Sequence, residues 1–172
     1  MDNYFQLLNM IEKYDIDHRE LTEQYFTMQA KYHPDISKNI KEKQRDLTIS
    51  IDLNKAYSVL KDDLARAEYL LSLNGINLDQ ITVKQAISPE QLKIIWDELE
   101  LVENIDNLPK LEQMLNDKMR RKQELITGLI RSFQNHNMQD AVDYTIRFKY
   151  QKNLLSNIRQ KILVRKSIQA DC

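Results

Sequence analysis

Apolar side chains recur along this chain at steps of three and four, the spacing that lines one face of an α-helix. Leu21, Tyr25, Met28 and Tyr32 form one such stripe, behind Asp17-x-x-Glu20, an N-terminal capping signature. The stripe has to stop near Tyr32: a residue before proline is driven out of the α region, and His33 precedes Pro34. A polar, basic stretch over residues 37–45 reads as a link to a second stripe at Ile49, Leu53, Ala56 and Leu60. A third segment, 65–73, runs into Asn74-Gly75, a good helix stop. Residues 4–11 allow one short helix packed across the others.

The pattern then breaks. Residues 75–86 mix β-branched and polar side chains and read as a linker. Helix resumes at Ser88-Pro89-Glu90-Gln91, with Ser at the cap, Pro at the first helical position and Gln three residues on. The spacing predicts one helix from 89 to about 106, a second opened by Pro109 and reaching about 135, and a third behind Asn137-x-x-Asp140 reaching about 166. Short connections make neighbouring helices antiparallel, so residues 88–172 are expected to form a three-helix bundle. The expected organisation is two small all-α domains, 1–75 and 88–172, joined by a linker over 76–87.

Composition narrows the class. Two glycines and three prolines in 172 residues are too few for a protein built on β-turns. With 25 basic and 26 acidic residues the net charge is −1, which gives no reason to expect nucleic-acid binding. The single cysteine, Cys172, excludes a disulfide framework or a thiolate cluster. No apolar run spans a bilayer, and Met1-Asp2-Asn3-Tyr4 lacks the basic start of a signal peptide, so a cytoplasmic product away from membranes is expected. No cofactor or metal set is evident.

His33-Pro34-Asp35 is the tripeptide that carries chemistry. Pro34 fixes its own φ and restricts His33, so a ring and a carboxylate are offered with little conformational freedom left to lose on binding. The plainer reading is a helix-stop turn, with Asp35 bonding nearby amides. A general-base pair fares worse, because no nucleophile or metal is fixed beside it. The setting decides. The tripeptide follows Ala30-Lys31-Tyr32 and precedes Asn54-Lys55-Ala56-Tyr57-Ser58-Val59-Leu60 and Asp62-x-x-x-Arg66-Ala67-x-Tyr69. Together these resemble a J domain, the module through which J-type co-chaperones engage DnaK-class ATPase chaperones. The resemblance implies that His33, Pro34 and Asp35 contact the chaperone, with Lys31 and Arg19 on the preceding helix. That helix is normally basic in the family, but here Glu20 and Glu23 dilute it, and Ile36 stands where a lysine is usual, with Lys38 nearby.

The run Arg66-Ala67-Glu68-Tyr69-Leu70-Leu71-Ser72-Leu73-x-Gly75, the chain length and the later Leu99-Glu100-Leu101 are similar to the HscB family, the J-type co-chaperones of iron–sulfur cluster assembly. One departure is Asp63, where the family often has proline. The resemblance implies an L-shaped pair of domains, no enzymatic activity of its own, and two partners: an HscA-type chaperone and an IscU-type scaffold. A J protein with another client, or a purely structural helical protein, remains the alternative.

On the first bundle helix, 100° per residue puts Ile94, Leu101, Ile105 and Leu108 on one face, expected to be core. Leu92, Ile95, Trp96 and Leu99 lie to the side or opposite, bordered by Glu100, Glu103 and Asp106. Such a patch marks a partner site or covers the linker and the first domain. The resemblance implies scaffold contacts at Ile95, Trp96, Leu99, Glu100 and Glu103. On the third helix it implies Tyr150, with Phe148 competing. The acid-only stretch 94–109 and the base-only stretch 147–166 are expected to attract each other or to be solvated. His18 and His136 are expected at the surface near helix ends.

Overall fold

The computed structural model describes residues 3–33, 35, 39–78 and 88–170, the side chains of 169 and 170 excepted. Pro34, residues 36–38, most of the expected linker (79–87) and Cys172 lie outside them. Among the described residues there are seven α-helices and no strand. The chain divides into two compact units, Met1–Asn74 and Gly75–Cys172.

In the first unit α1 (Tyr4–Leu7) is a single turn. Asn3 caps it, accepting from the Gln6 amide at 2.9 Å while the Gln6 side chain accepts from the Asn3 amide at 3.0 Å. The helix stops at Leu7, short of the expected residue 11, because Asn9 turns the chain with a left-handed φ of 50°. Helix α2 (His18–Lys31) starts at Asp17, whose carboxylate accepts from the Arg19 amide at 2.7 Å, and it ends at Tyr32 ahead of the proline. Helix α3 (Ile40–Lys61) begins earlier than its apolar stripe, so most of the basic stretch is helical and not a link. Asn39 supplies the cap, accepting from the Glu42 amide at 2.9 Å. The first two turns escape the apolar signal because they lie outside the core, with Ile40 exposed. Helix α4 (Asp63–Leu73) is capped by Asp62 and ends at Asn74, and Gly75 takes the positive φ of 77° that stops it.

Phe5, Leu8, Leu21, Leu53, Ala56, Leu60, Ala67 and Leu71 fill the core of this unit. One cation is buried among them. The Arg66 guanidinium donates from Nε to the Tyr14 carbonyl (2.8 Å), from Nη1 to the Leu60 carbonyl (2.5 Å) and from Nη2 to Asp63 (2.9 Å). It also lies 4.8 Å from the centre of the Tyr14 ring. Asp63, the departure from the family's proline, is therefore the acid that pairs this arginine. Burial pushes the Tyr14 phenol well above its ordinary range, so it stays neutral beside the cation.

In the second unit α5 (Pro89–Asn104) opens on the expected capping box: Ser88 accepts from the Gln91 amide at 3.3 Å, and Gln91 accepts from the Ser88 amide at 3.2 Å. Helix α6 (Leu108–Gln134) starts one residue before Pro109, with Asn107 as the cap. Helix α7 (Met138–Ala170) runs four residues past the expected end. Between them the chain turns through His136, at φ 53°. Its amide donates to the Phe133 carbonyl and the Asn137 amide to that of Ser132 (3.2 and 2.9 Å), a Schellman closure. Helices α6 and α7 pack antiparallel, closely enough at Gly128 that an added methyl would meet the Tyr144 ring at 2.5 Å. Val102, Leu111, Leu154, Ile158 and Ile162 form a shared apolar layer for all three helices.

The core face expected for α5 holds only in part. Ile94 and Leu101 are 57% and 51% exposed, while Val102 is buried and Leu99 packs against the layer just described. Ile105 and Leu108 do pack against it. The helix carries two apolar stripes, and the one that Val102 centres meets α7.

Candidate functional site

His33 and Asp35 stand at the end of a helical hairpin whose seam is polar. Tyr25 donates its hydroxyl to Asn54 Oδ1 at 2.7 Å, and Gln29 Nε2 donates to the same oxygen at 2.8 Å and to the Ser50 carbonyl at 3.1 Å. Ser50 returns a bond to Gln29 Oε1 at 2.7 Å. The Tyr25 and Tyr57 rings stack with centroids 4.2 Å apart. Directional bonds of this kind allow one register between α2 and α3, whereas apolar contact alone tolerates sliding. That register places the loop after Tyr32. No role for Gln29 or Ser50 is visible in the sequence, because hydrogen-bonding residues on an amphipathic border look like ordinary surface.

Within the loop, His33 Nδ1 accepts from the Asp35 backbone amide at 3.2 Å. A neutral ring accepting through Nδ1 carries its proton on Nε2, which is left as a donor. The Asp35 carboxylate lies 3.7 Å from Nδ1, too far for a hydrogen bond, and both side chains are exposed. Arg19 and Lys31 are exposed on α2, with the Lys31 ammonium 5.2 Å from the Tyr32 ring centre. Pro34 lies outside the described residues, as do Ile36 and Lys38.

The second set of residues lies on α5. Trp96, Glu100 and Glu103 sit four and three residues apart, so they share one side of the helix, and all three are exposed. Ile95 is half-buried. Leu99 is half-buried against the core and borders that side instead of standing proud of it. The acidic stretch is neutralised only in part. Lys118 of α6 pairs with Glu98 at 2.5 Å. Lys161 of α7 donates to the Val102 carbonyl at 2.8 Å and to that of Glu103, and Arg165 pairs with Asp106. Lys161 and Arg165 sit where the dipole of α5 is negative. The expected attraction between acidic and basic stretches is thus confined to this corner. Among the described residues neither Glu100 nor Glu103 has an ion pair through its carboxylate.

Lys161 meets Val102 and Arg165 meets Asp106 at one sequence offset, so α5 and α7 run parallel there. Tyr150 lies on α7 ahead of that contact in the sequence. It is half-buried, while Phe148 is core, 1% exposed with the Lys122 ammonium 5.6 Å from its ring centre. Of the two aromatics only Tyr150 has surface to offer a partner. His18 and His136 are exposed at helix ends. Among the described residues no group of three or more His, Cys, Asp or Glu is placed to hold a metal ion, and no helix is long and apolar enough to cross a membrane.

Residues 3–69 match the DnaJ domain. The chain is 36% identical over 130 residues to the co-chaperone protein HscB of Proteus mirabilis, covering 73% of each chain. It is 27% identical to the iron–sulfur cluster co-chaperone protein HscB homolog of Arabidopsis thaliana, over 93% of this chain and 64% of that one. The structure superposes on chaperone HscB from Vibrio cholerae with a TM-score of 0.79 and 26% identity, covering 92% of this chain and 96% of the other. A J domain at the head of the chain, an all-α second unit, and this degree of identity over most of both sequences lead to one conclusion. The chain belongs to the HscB family of J-domain co-chaperones of iron–sulfur cluster assembly.

Proposed function

We propose that this protein brings an IscU-type iron–sulfur scaffold to an HscA-type, DnaK-class chaperone and stimulates that chaperone's ATPase. The observation that carries the reading is the exposed His33–Asp35 pair, held at the end of a hairpin whose register is locked by directional bonds. A prepaid loop geometry leaves more of the contact energy available for binding. His33, with its Nε2 donor, and Asp35 make the principal contact together with Pro34, and Lys31 and Arg19 steer the approach. The protein carries no catalytic group of its own in this reading; the hydrolysis is the chaperone's.

The scaffold docks on the second unit. Trp96 supplies a large amphipathic anchor on the exposed side of α5, Glu100 and Glu103 supply unpaired charge, Ile95 and Leu99 border them, and Tyr150 of α7 adds its exposed part. Aromatic anchors beside charges not already consumed within the fold are what a specific partner surface needs. The same reading places the protein in the cytoplasm with both partners.

The experiment is ATPase stimulation of the chaperone with and without scaffold. His33→Gln removes the outward donor geometry and is expected to abolish stimulation while scaffold binding, read by titration calorimetry, is retained. Trp96→Ala is expected to weaken scaffold binding and to leave scaffold-independent stimulation intact. Loss of both activities in either variant would show that the two sites are not separable.

A further inference from the structure

Helices α1, α4 and α6 are each followed by a left-handed residue that turns the chain: Asn9, Gly75 and His136. Helix α5 has no such closure, and Ile105 after it is extended, with φ −78° and ψ 117°. The last carbonyls of a helix have no amide a turn ahead within the helix, so an open end frays unless other groups supply donors. Part of the supply here is local: the Ile105 amide donates to the Leu101 carbonyl and Asn104 Nδ2 to that of Glu100, both at 3.0 Å. The rest comes from another helix. Lys161 of α7 donates its ammonium to the Val102 carbonyl at 2.8 Å and to the Glu103 carbonyl. Its side chain is 20% exposed and stands 3.9 Å from Asp106, which also pairs with Arg165. The loop beyond is fixed in turn, since Ile105 packs against the apolar layer and Asn107 caps α6, accepting from the Lys110 amide at 3.0 Å.

We infer that Lys161 is a positioning residue for the partner surface of α5: it holds the last turn of that helix closed, so that Glu103, and with it Glu100, stands at a fixed place beside Trp96. The inference rests on the scaffold reading above and names a residue of a different helix through which that surface is kept in order. Glu103 is the link. Its main-chain carbonyl is bonded to Lys161, while its carboxylate has no ion pair among the described residues. An ammonium has three donors, and here two of them go to backbone oxygens, so Lys161 closes the helix without consuming the acid that Glu103 offers. A turn ordered before binding does not have to be ordered by the partner, which leaves more of the contact energy as affinity. Plain charge would act in the opposite direction. A partner that engages Glu100 and Glu103 through cations is repelled by Lys161, so if its field were all that mattered, removing it would tighten binding. The two roles therefore differ in sign.

The test is calorimetric titration of the full chain with an IscU-type scaffold. Lys161→Met keeps the apolar body of the side chain and removes its donors. It is expected to raise the scaffold Kd about fivefold and to speed hydrogen exchange at the Ile105 amide, whose bond to Leu101 closes the last turn. Lys161→Gln, which keeps a donor on a shorter arm, is expected to fall between that variant and the parent. Lys166→Met removes the same charge from the same helix, at a lysine that pairs with Glu112 of α6, and is expected to leave the Kd within about twofold. Because Lys161 acts through Glu103, Lys161→Met is expected to add less than about twofold in a Glu103→Gln background. A general loss of stability does not produce that overlap, and circular dichroism verifies that each variant is folded. A Kd unchanged or lowered by Lys161→Met would overturn the inference, as would full additivity with Glu103→Gln or an equal loss in Lys166→Met; in each case the scaffold reading stands. No binding of the scaffold by the unaltered chain would overturn both.

Discussion

The two units hold their helices together by different means. In the first, the α2–α3 seam is a row of hydroxyls and amides, and the loop between α3 and α4 is fastened by a buried guanidinium with three hydrogen bonds. In the second, α5, α6 and α7 share an apolar layer, and α6 meets α7 at a glycine with no space to spare. Directional bonds specify one arrangement and fail abruptly when a partner is lost. Apolar layers tolerate volume-conserving change and respond in proportion to lost or added volume. Each interface suits what it supports: a short loop held at one register in the first unit, and a broad helix face in the second.

Substitutions can break or sharpen that contrast, provided the two units are followed by separate probes. Arg66→Ala strands the Tyr14 and Leu60 carbonyls and takes the guanidinium away from Asp63. It is expected to destabilise the first unit by about 3–5 kcal/mol in urea unfolding and to leave the second unchanged. A loss near 1 kcal/mol would show that the arginine is solvated on demand and that the first unit is held as the second is. Gly128→Ala drives a methyl into the Tyr144 ring and is expected to cost the second unit about 1–3 kcal/mol. Adding Tyr144→Ala should return part of that loss, because the nearest atoms the added methyl meets belong to that ring.

Asn54→Ala removes an acceptor shared by Tyr25 and Gln29 at a partly solvated seam. About 1 kcal/mol of stability is expected to go, with a larger proportional fall in ATPase stimulation as the loop loses its register. Stimulation unchanged by this substitution would mean that the seam does not position the loop. The smallest expected effect is a gain. His136→Gly relieves a left-handed conformation at a helix end and should stabilise the second unit by about 0.5–1 kcal/mol, read as a raised midpoint in denaturant.

Much of this was legible in order along the chain because it is local. Asp17, Ser88 and Asn137 announce helix starts by bonding amides two or three residues away, and Gly75 stops a helix through its own backbone geometry. The stripe Leu53, Ala56, Leu60 is buried as its spacing implies. The tripeptide is recognisable from its flanks, and Gly128 stands out in mid-helix as a place of close approach. A helix start with one exposed apolar residue followed by polar ones, such as Ile40 to Arg45, gave no such signal; the polar side chains there are compatible with either loop or solvated helix.

What needed the tertiary structure is whatever depends on a neighbour far along the chain. Helix α5 has two apolar stripes of similar strength, and its own sequence holds no information about which one α7 will cover. Contact with Ile158 and Ile162 chose Val102 and Leu99, which sent Ile94 and Leu101 outward and left Trp96, Glu100 and Glu103 on an open side. Likewise, Asp63 and Arg66 are a routine pair one helical turn apart until the carbonyls of Tyr14 and Leu60 close around the guanidinium. Sequence determined most of the helices, their caps and the recognisable tripeptide, through forces that act within a turn or two. Which face is core, which charge is consumed and which apolar residues remain for partners were decided by packing, because burial is a property of the surroundings and not of the residue.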